Sequence, residues 1–153
     1  MLPSFAWLLP GVVAGGPHPD RLGGLQALLG YLRRARIGAI LSVFEEPLDT
    51  GELERLRIRY LWQPTPNFTP PPDLGAACAF IDQAREAGAA TLVHCWMGWG
   101  RTGTVLAAYL LHRGLCETAL EAVTRVREDY NPNAVESPSQ MAALRHFAER
   151  AAT

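Results

Sequence analysis

Residues 90–113 constrain the fold of this chain more than any other stretch. Ala90-Thr91-Leu92-Val93-His94 is a short apolar run of strand formers, and Arg101 to Arg113 carries a helical pattern. Between them lie Cys95-Trp96-Met97-Gly98-Trp99-Gly100, with Gly103 one turn further on. A buried strand that passes through a tight glycine-rich turn straight into a helix is half of a β-α-β unit. Such a unit requires a sheet with helices packed on its faces.

The rest of the sequence supplies the other parts. Val12-Val13-Ala14 before Gly15-Gly16-Pro17 reads as a strand ending in a turn. Asp20 to Arg36 places Leu22, Leu25, Leu28, Leu29 and Leu32 at helical spacing, with Asp20 as the expected N-cap. Ala39 to Phe44 and Arg57 to Trp62 read as strands, and Thr50 to Leu56 as one or two helical turns. Gln63 to Pro72 holds five prolines in ten residues, so it is a stiff loop. Asp73 to Ala87 reads as a helix stopped by Gly88. Glu117 to Glu128 and Ser137 to Ala151 are two further helices. The prediction is one α/β domain over residues 1–153. Its single, mostly parallel sheet of four or five strands carries helices on both faces.

Composition removes several kinds of chemistry. All fourteen Lys+Arg residues are Arg. A Walker-type phosphate loop needs its Lys, and Schiff-base chemistry needs an amine. A net charge of −1 argues against a non-specific nucleic-acid partner. No apolar run approaches the ~20 residues of a membrane span. The apolar start, residues 1–16, lacks a basic leader and reads as a first strand. Three cysteines, Cys78, Cys95 and Cys116, are an odd number and read as free thiols. The expectation is a cytoplasmic monomer without metal or cofactor. The histidines show no metal-ligand spacing.

The turn after His94 fits anion chemistry built from backbone. Its glycines let the chain curl so that the N–H groups of Trp96, Met97, Gly98, Trp99, Gly100 and Arg101 converge at a helix start. Arg101, six residues after Cys95, adds a planar fork that fits two phosphoryl oxygens. The same positive field favours a thiolate at Cys95, which can attack phosphorus. Thr102 is placed to donate its hydroxyl to that sulfur, and His94 to hydrogen-bond nearby backbone and fix the loop. Trp96 and Trp99 must point their rings away from the cradle, into the core or onto the rim.

These residues resemble a known family. His94-Cys95-x-x-Gly98-x-Gly100-Arg101-Thr102-Gly103 is similar to the H-C-x(5)-R-[ST]-G signature of cysteine-based protein tyrosine phosphatases. The flanks look most like small atypical dual-specificity phosphatases. Phe5-x-Trp7-x-x-Pro10-Gly11-x-x-Ala14-Gly15 resembles the opening of one compact subgroup. Asn131-Pro132-Asn133-Ala134-Val135-Glu136 through Gln140 resembles a late R-P-x-x-I-E-x-x-x-Q segment that lines the site. The resemblance implies a phosphocysteine intermediate on Cys95. It also implies a phosphorylated protein or small phosphomonoester as substrate.

The match breaks at the general acid. The subgroup carries an Asp in a P-D-F context, where this chain has Pro66-Asn67-Phe68. An amide does not donate a proton as a carboxylic acid does. Asn67 in the slot would leave a slow enzyme, or Asp73 or Glu136 would take over. The remaining alternative is a weakly catalytic module that binds phosphoproteins. A sulfur-transfer or arsenate-reducing enzyme also uses a Cys before a helix, but His94-Cys95 and Arg101-Thr102-Gly103 favour phosphoryl transfer. Asp73 doubles as a first-turn residue favoured by the helix dipole, and Glu136 as a residue at a helix start. Gln140 either orients the hydrolytic water, by resemblance, or is a solvated helix side chain. Cys78 and Cys116 read as core residues. The thirteen arginines other than Arg101 call for no role beyond solubility and helix faces.

Overall fold

The computed structural model describes residues 5–151. Five strands form one sheet: β1 (Ala6–Leu9), β2 (Val13–Gly16), β3 (Ile37–Ser42), β4 (Arg59–Trp62) and β5 (Ala90–His94). Their spatial order is β1-β2-β5-β3-β4. Only β1 runs antiparallel, to β2, and every other neighbouring pair is parallel. Among the described residues six α-helices pack with it: α1 (Leu25–Ala35), α2 (Thr50–Arg55), α3 (Leu74–Glu86), α4 (Gly100–His112), α5 (Ala119–Asp129) and α6 (Pro138–Ala151).

Strand alternation divides the core in two. On β3 and β5, Ile40 and Leu92 face Leu28, Leu29 and Leu32 of α1 and Leu53 of α2. Leu41 and Val93 face the other layer, with Ile81 of α3, Leu106 of α4, Val123 of α5 and Leu144 of α6. This is the expected sheet covered on both faces. Helix α4 is buried from Gly100 to Leu111, because α3, α5, α6 and the sheet all pack around it. Among the described residues no helix is long and apolar enough to cross a membrane.

Three local expectations are corrected. The N-terminal strand is a hairpin, β1 and β2, closed by a turn in which Val12 N–H donates to the Leu9 carbonyl at 2.9 Å. Residues 1–4 of that segment lie outside the described residues. The helix expected from Asp20 is split. Pro19–Leu22 forms a short 3-10 turn, and Gly23 and Gly24, both at positive φ, redirect the chain before α1. The cap of that 3-10 turn is the His18 ring, whose Nδ1 accepts from Asp20 N–H at 3.1 Å, and not the Asp20 carboxylate. Finally, Asp73 is the N-cap of α3 and lies outside its first turn. Its Oδ1 accepts from Ala76 N–H at 2.9 Å.

The enclosure of α4 makes its side chains sensitive to truncation. Leu106→Ala should lower unfolding free energy by about 2–5 kcal/mol in urea titrations. Leu120→Ala, at a position 67% exposed on α5, should change it by under about 0.5 kcal/mol.

Candidate active site

The carboxyl end of β5, central in the sheet, delivers the chain into the loop 95–99, and α4 begins at Gly100. Cys95 is buried at the loop's base. Its Sγ accepts from Thr102 Oγ1 at 3.1 Å and from Gly98 N–H at 3.3 Å. Two donors on one sulfur spread its charge when it departs as a leaving group.

The loop carbonyls are held from outside. His94 Nδ1 lies 3.0 Å from the Cys95 carbonyl, His18 N–H donates to the Trp96 carbonyl at 2.9 Å, and Tyr130 Oη donates to the Gly98 carbonyl at 2.7 Å. In a trans peptide the C=O and the following N–H point in opposite directions. Fixing these carbonyls outward therefore turns the N–H groups of Trp96, Met97 and Trp99 to the opposite side. No side chain caps the start of α4, so its first N–H groups also remain available. The result is an anion cradle made of backbone.

A relay sets the His94 tautomer. The Cys95 carbonyl can only accept, so Nδ1 carries the hydrogen. Nε2 then accepts from Ser42 Oγ at 2.6 Å, and Ser42 accepts in turn from Tyr60 Oη at 2.8 Å. Leu48 N–H closes the chain on Tyr60 Oη at 2.9 Å. Burial, the larger effect, moves the His94 pKa down to about 4, with His18 and Arg101 adding repulsion and the Cys95 carbonyl opposing it.

Arg101 is buried, and its guanidinium is oriented by three neighbours. Nη1 donates to Glu45 Oε1 and, at 2.8 Å, to the Thr65 carbonyl of the proline-rich loop. The guanidinium lies over the Phe44 ring at 5.3 Å. Among the described residues nothing accepts from its Nε and Nη2, the edge suited to two phosphoryl oxygens.

The turn 134–136 closes the site from the α6 side. Val135 sits at φ +63°, a costly backbone for a β-branched residue. Arg127 holds it there, donating through Nε to the Ala134 carbonyl and through Nη2 to the Val135 carbonyl, both at 2.9 Å. The Glu136 carboxylate consequently lies against Gly100. A Cβ on Gly100 would stand 2.4 Å from Glu136 Oε1. Ser137 and Gln140 form a capping box at the start of α6. Ser137 Oγ accepts from Gln140 N–H at 3.2 Å, and Gln140 Oε1 accepts from Ser137 N–H at 3.1 Å and Glu136 N–H at 2.7 Å. Ser137 and Ser139 donate to the Phe68 carbonyl at 2.6 and 3.0 Å, and Gln140 Nε2 to the Thr69 carbonyl at 3.3 Å. The loop carrying Asn67 is thus tied to α6.

Comparison with known proteins agrees with this geometry. Residues 2–153 match PTP-SAK, the DSP-PTPase phosphatase domain of Swiss Army Knife proteins. The chain belongs to this family. Rat dual specificity protein phosphatase 12 is 38% identical over 97 residues, covering 59% of this chain and 28% of the relative. Dual specificity protein phosphatase 1B of Arabidopsis thaliana is 38% identical over 71 residues, covering 45% of this chain and 40% of the relative. The chain thus spans well under half the length of these curated relatives. Among solved structures, Tk-PTP in its active form is 29% identical with a TM-score of 0.81, covering 98% of this chain and 99% of the other. PTPMT1 in complex with PI(5)P shares the fold at 20% identity, with a TM-score of 0.82 and 93% of each chain covered.

Against that family pattern, the structure gathers His94, Cys95, Trp96, Met97, Gly98, Trp99, Gly100, Arg101 and Thr102 at one strand end and helix start. Trp96 is 40% exposed on the rim, stacked on Phe44 at 6.1 Å, and Met97 and Trp99 are half-buried. Of the three acid-slot residues, only Glu136 has its carboxylate placed against the loop. Asn67 is exposed, and its Oδ1 is taken by Phe68 N–H at 3.0 Å. The Asp73 carboxylate caps α3. Gln140 is fully buried, which overturns the solvated reading, and its amide holds backbone on both sides of the site. Cys78 and Cys116 are buried free thiols, and burial, with Asp82 adding, pushes the Cys78 thiol up to about 12. Arg127 corrects the view that only Arg101 has a role beyond solubility.

Sequence reasoning missed Glu45, Tyr130, Ser42 and Tyr60. None lies in a motif. The only trace of Tyr130 in the sequence is a large aromatic just before Asn131-Pro132, with small Gly15-Gly16 distant in the chain.

The buried neutral His94 gives stability a pH dependence. Its folded pKa of about 4 lies below the ordinary 6.5, so between these values the unfolded chain binds the proton and the folded one does not. Stability should therefore fall as pH drops from about 6.5, by up to about 3 kcal/mol near pH 4. Urea titrations at pH 7, 5.5 and 4.5 should show that loss, and His94→Gln should flatten it.

Proposed function

We propose that this domain is a phosphomonoester hydrolase working through a phosphocysteine on Cys95. The observation that carries the reading is the Cys95 sulfur, held by the Thr102 hydroxyl and the Gly98 N–H at the base of a ring of N–H groups that Arg101 completes. In the first step the Cys95 thiolate attacks phosphorus and the bond to the substrate oxygen breaks. Arg101 and the N–H groups spread the charge on the equatorial oxygens. The leaving oxygen takes a proton from Glu136, whose carboxyl lies against Gly100 at the start of α4. In the second step water attacks phosphorus and gives a proton back to Glu136. The sulfur–phosphorus bond breaks, the thiolate returns to its two donors, and inorganic phosphate leaves. No metal or cofactor enters these steps.

Beside the loop a cleft of about 390 Å³ opens between His18, Phe44, Leu48 and Trp96. Its aromatic walls suit a planar aryl leaving group such as a phosphotyrosine side chain. A phosphorylated protein, or a small phosphomonoester, is the substrate class that fits. Three free cysteines support a reducing compartment, so we take the domain as a cytoplasmic monomer. A second reading, a weakly catalytic phosphoprotein-binding module, is favoured by one observation: the family's acid slot holds Asn67, and its Oδ1 is committed to Phe68 N–H.

Three measurements separate these readings. Cys95→Ser should reduce aryl phosphate turnover to background, and retained turnover would refute the phosphocysteine route. Glu136→Gln should lower kcat/KM by about 10²-fold or more on an alkyl phosphate and far less on a good aryl leaving group. An equal loss on both substrates would remove Glu136 from proton transfer. If Asn67→Asp then raised turnover strongly and added a basic limb to the pH profile, the module reading would gain.

A further inference from the structure

Tyr130 follows the last residue of α5 and is partly buried, and it belongs to no motif of the sequence. Its hydroxyl donates to the Gly98 carbonyl at 2.7 Å. Its ring occupies a socket lined by glycines. A Cβ on Gly15 would stand 2.7 Å from the ring's Cζ, and a Cβ on Gly98 would stand 2.9 Å from the hydroxyl and 2.7 Å from the Gly16 backbone. Gly98 itself is at φ +82°, where a side chain would be strained. Strand β2, the loop and the residue after α5 therefore meet at one point, with the phenol hydrogen aimed at the loop.

We propose that Tyr130 is a positioning residue of the phosphate loop: by holding the Gly98 carbonyl outward, its hydroxyl aims the Trp99 N–H at the phosphoryl group. The proposal rests on the phosphatase reading of the loop. The Gly98–Trp99 peptide is planar, so its carbonyl and the Trp99 N–H cannot turn independently. The preceding N–H, that of Gly98, is committed to the Cys95 sulfur. One residue thus supports the nucleophile on one side and the oxygen cradle on the other, and Tyr130 sets the side that faces substrate. Of the three held carbonyls, Trp96 is held by backbone and Cys95 by the adjacent His94. Gly98 alone is held by a side chain distant in sequence. Burial raises the phenol pKa, with the nearby Cys95 charge adding, so the hydroxyl keeps its hydrogen across the assay range.

Tyr130→Phe keeps the ring in its socket and removes only the donor. On an aryl phosphate it should lower kcat by about tenfold to a hundredfold with little change in KM, because a misaimed donor is felt most in the transition state. Inhibition by orthovanadate, which mimics the five-coordinate phosphorus, should weaken by a similar factor. A purely structural role would lower the melting temperature and leave kcat per folded molecule and vanadate affinity unchanged, and that result would overturn the proposal. Gly15→Ala pushes the same ring from the strand side and carries the same test if Tyr130→Phe folds poorly. The double variant should be no worse than the weaker single one, and additive losses would count against a shared mechanism. Loss of the phosphatase reading shows up separately, as turnover that survives Cys95→Ser.

Discussion

The rigidity of the peptide plane governs this site. Without any lysine, the chain fixes three loop carbonyls, and geometry turns the N–H groups that follow them to the opposite side. The donors that fix them come from different parts of the fold: a ring on β5, a backbone N–H in the turn after β2, and a phenol just beyond α5. Each buried carbonyl left without its donor would cost about 1–3 kcal/mol. The loop conformation is thereby bound to the whole sheet, and the near-neutral charge of the chain is no obstacle to anion binding, since the positive field is local.

A second layer of support surrounds the charged groups. Arg127 clamps the strained turn at Val135, and that turn places Glu136 against Gly100. The capping box of Ser137 and Gln140 ends one helix and, through the Phe68 and Thr69 carbonyls, anchors the proline-rich loop. The same loop sends the Thr65 carbonyl to Arg101. A stiff loop with few backbone N–H groups is thus held by its carbonyls, the one kind of hydrogen-bonding group proline leaves intact.

What the sequence made legible follows from range. The strand–loop–helix unit lies within about a dozen consecutive residues, so spacing alone brought Cys95, Arg101 and Thr102 together at one strand end. The alternation of strands and helices gave the sheet and its two covered faces. The N-terminal hairpin was missed because Val12 to Gly16 shows one strand and the partner lies across the Gly11 turn. The helix expected from Asp20 was overextended because leucine spacing continued across Gly23-Gly24, where backbone conformation breaks the pattern. Glu45, Tyr130, Ser42 and Tyr60 act through contacts 18 to 56 residues apart, which no local pattern reports. The solvated reading of Gln140 failed for a related reason: its side chain reaches a loop 71 residues away.

The strand order carries a consequence for how the chain comes into being. β5 lies between β2 and β3, so the β1–β2 hairpin and the β3–β4 pair have no direct bond to each other. In chain order β1 to β4 all precede β5, so the two pieces of sheet can be joined only once residues 90–94 are in place. The strand that joins them is the one that leads into Cys95. The complete sheet therefore always includes the strand that delivers Cys95 to its loop.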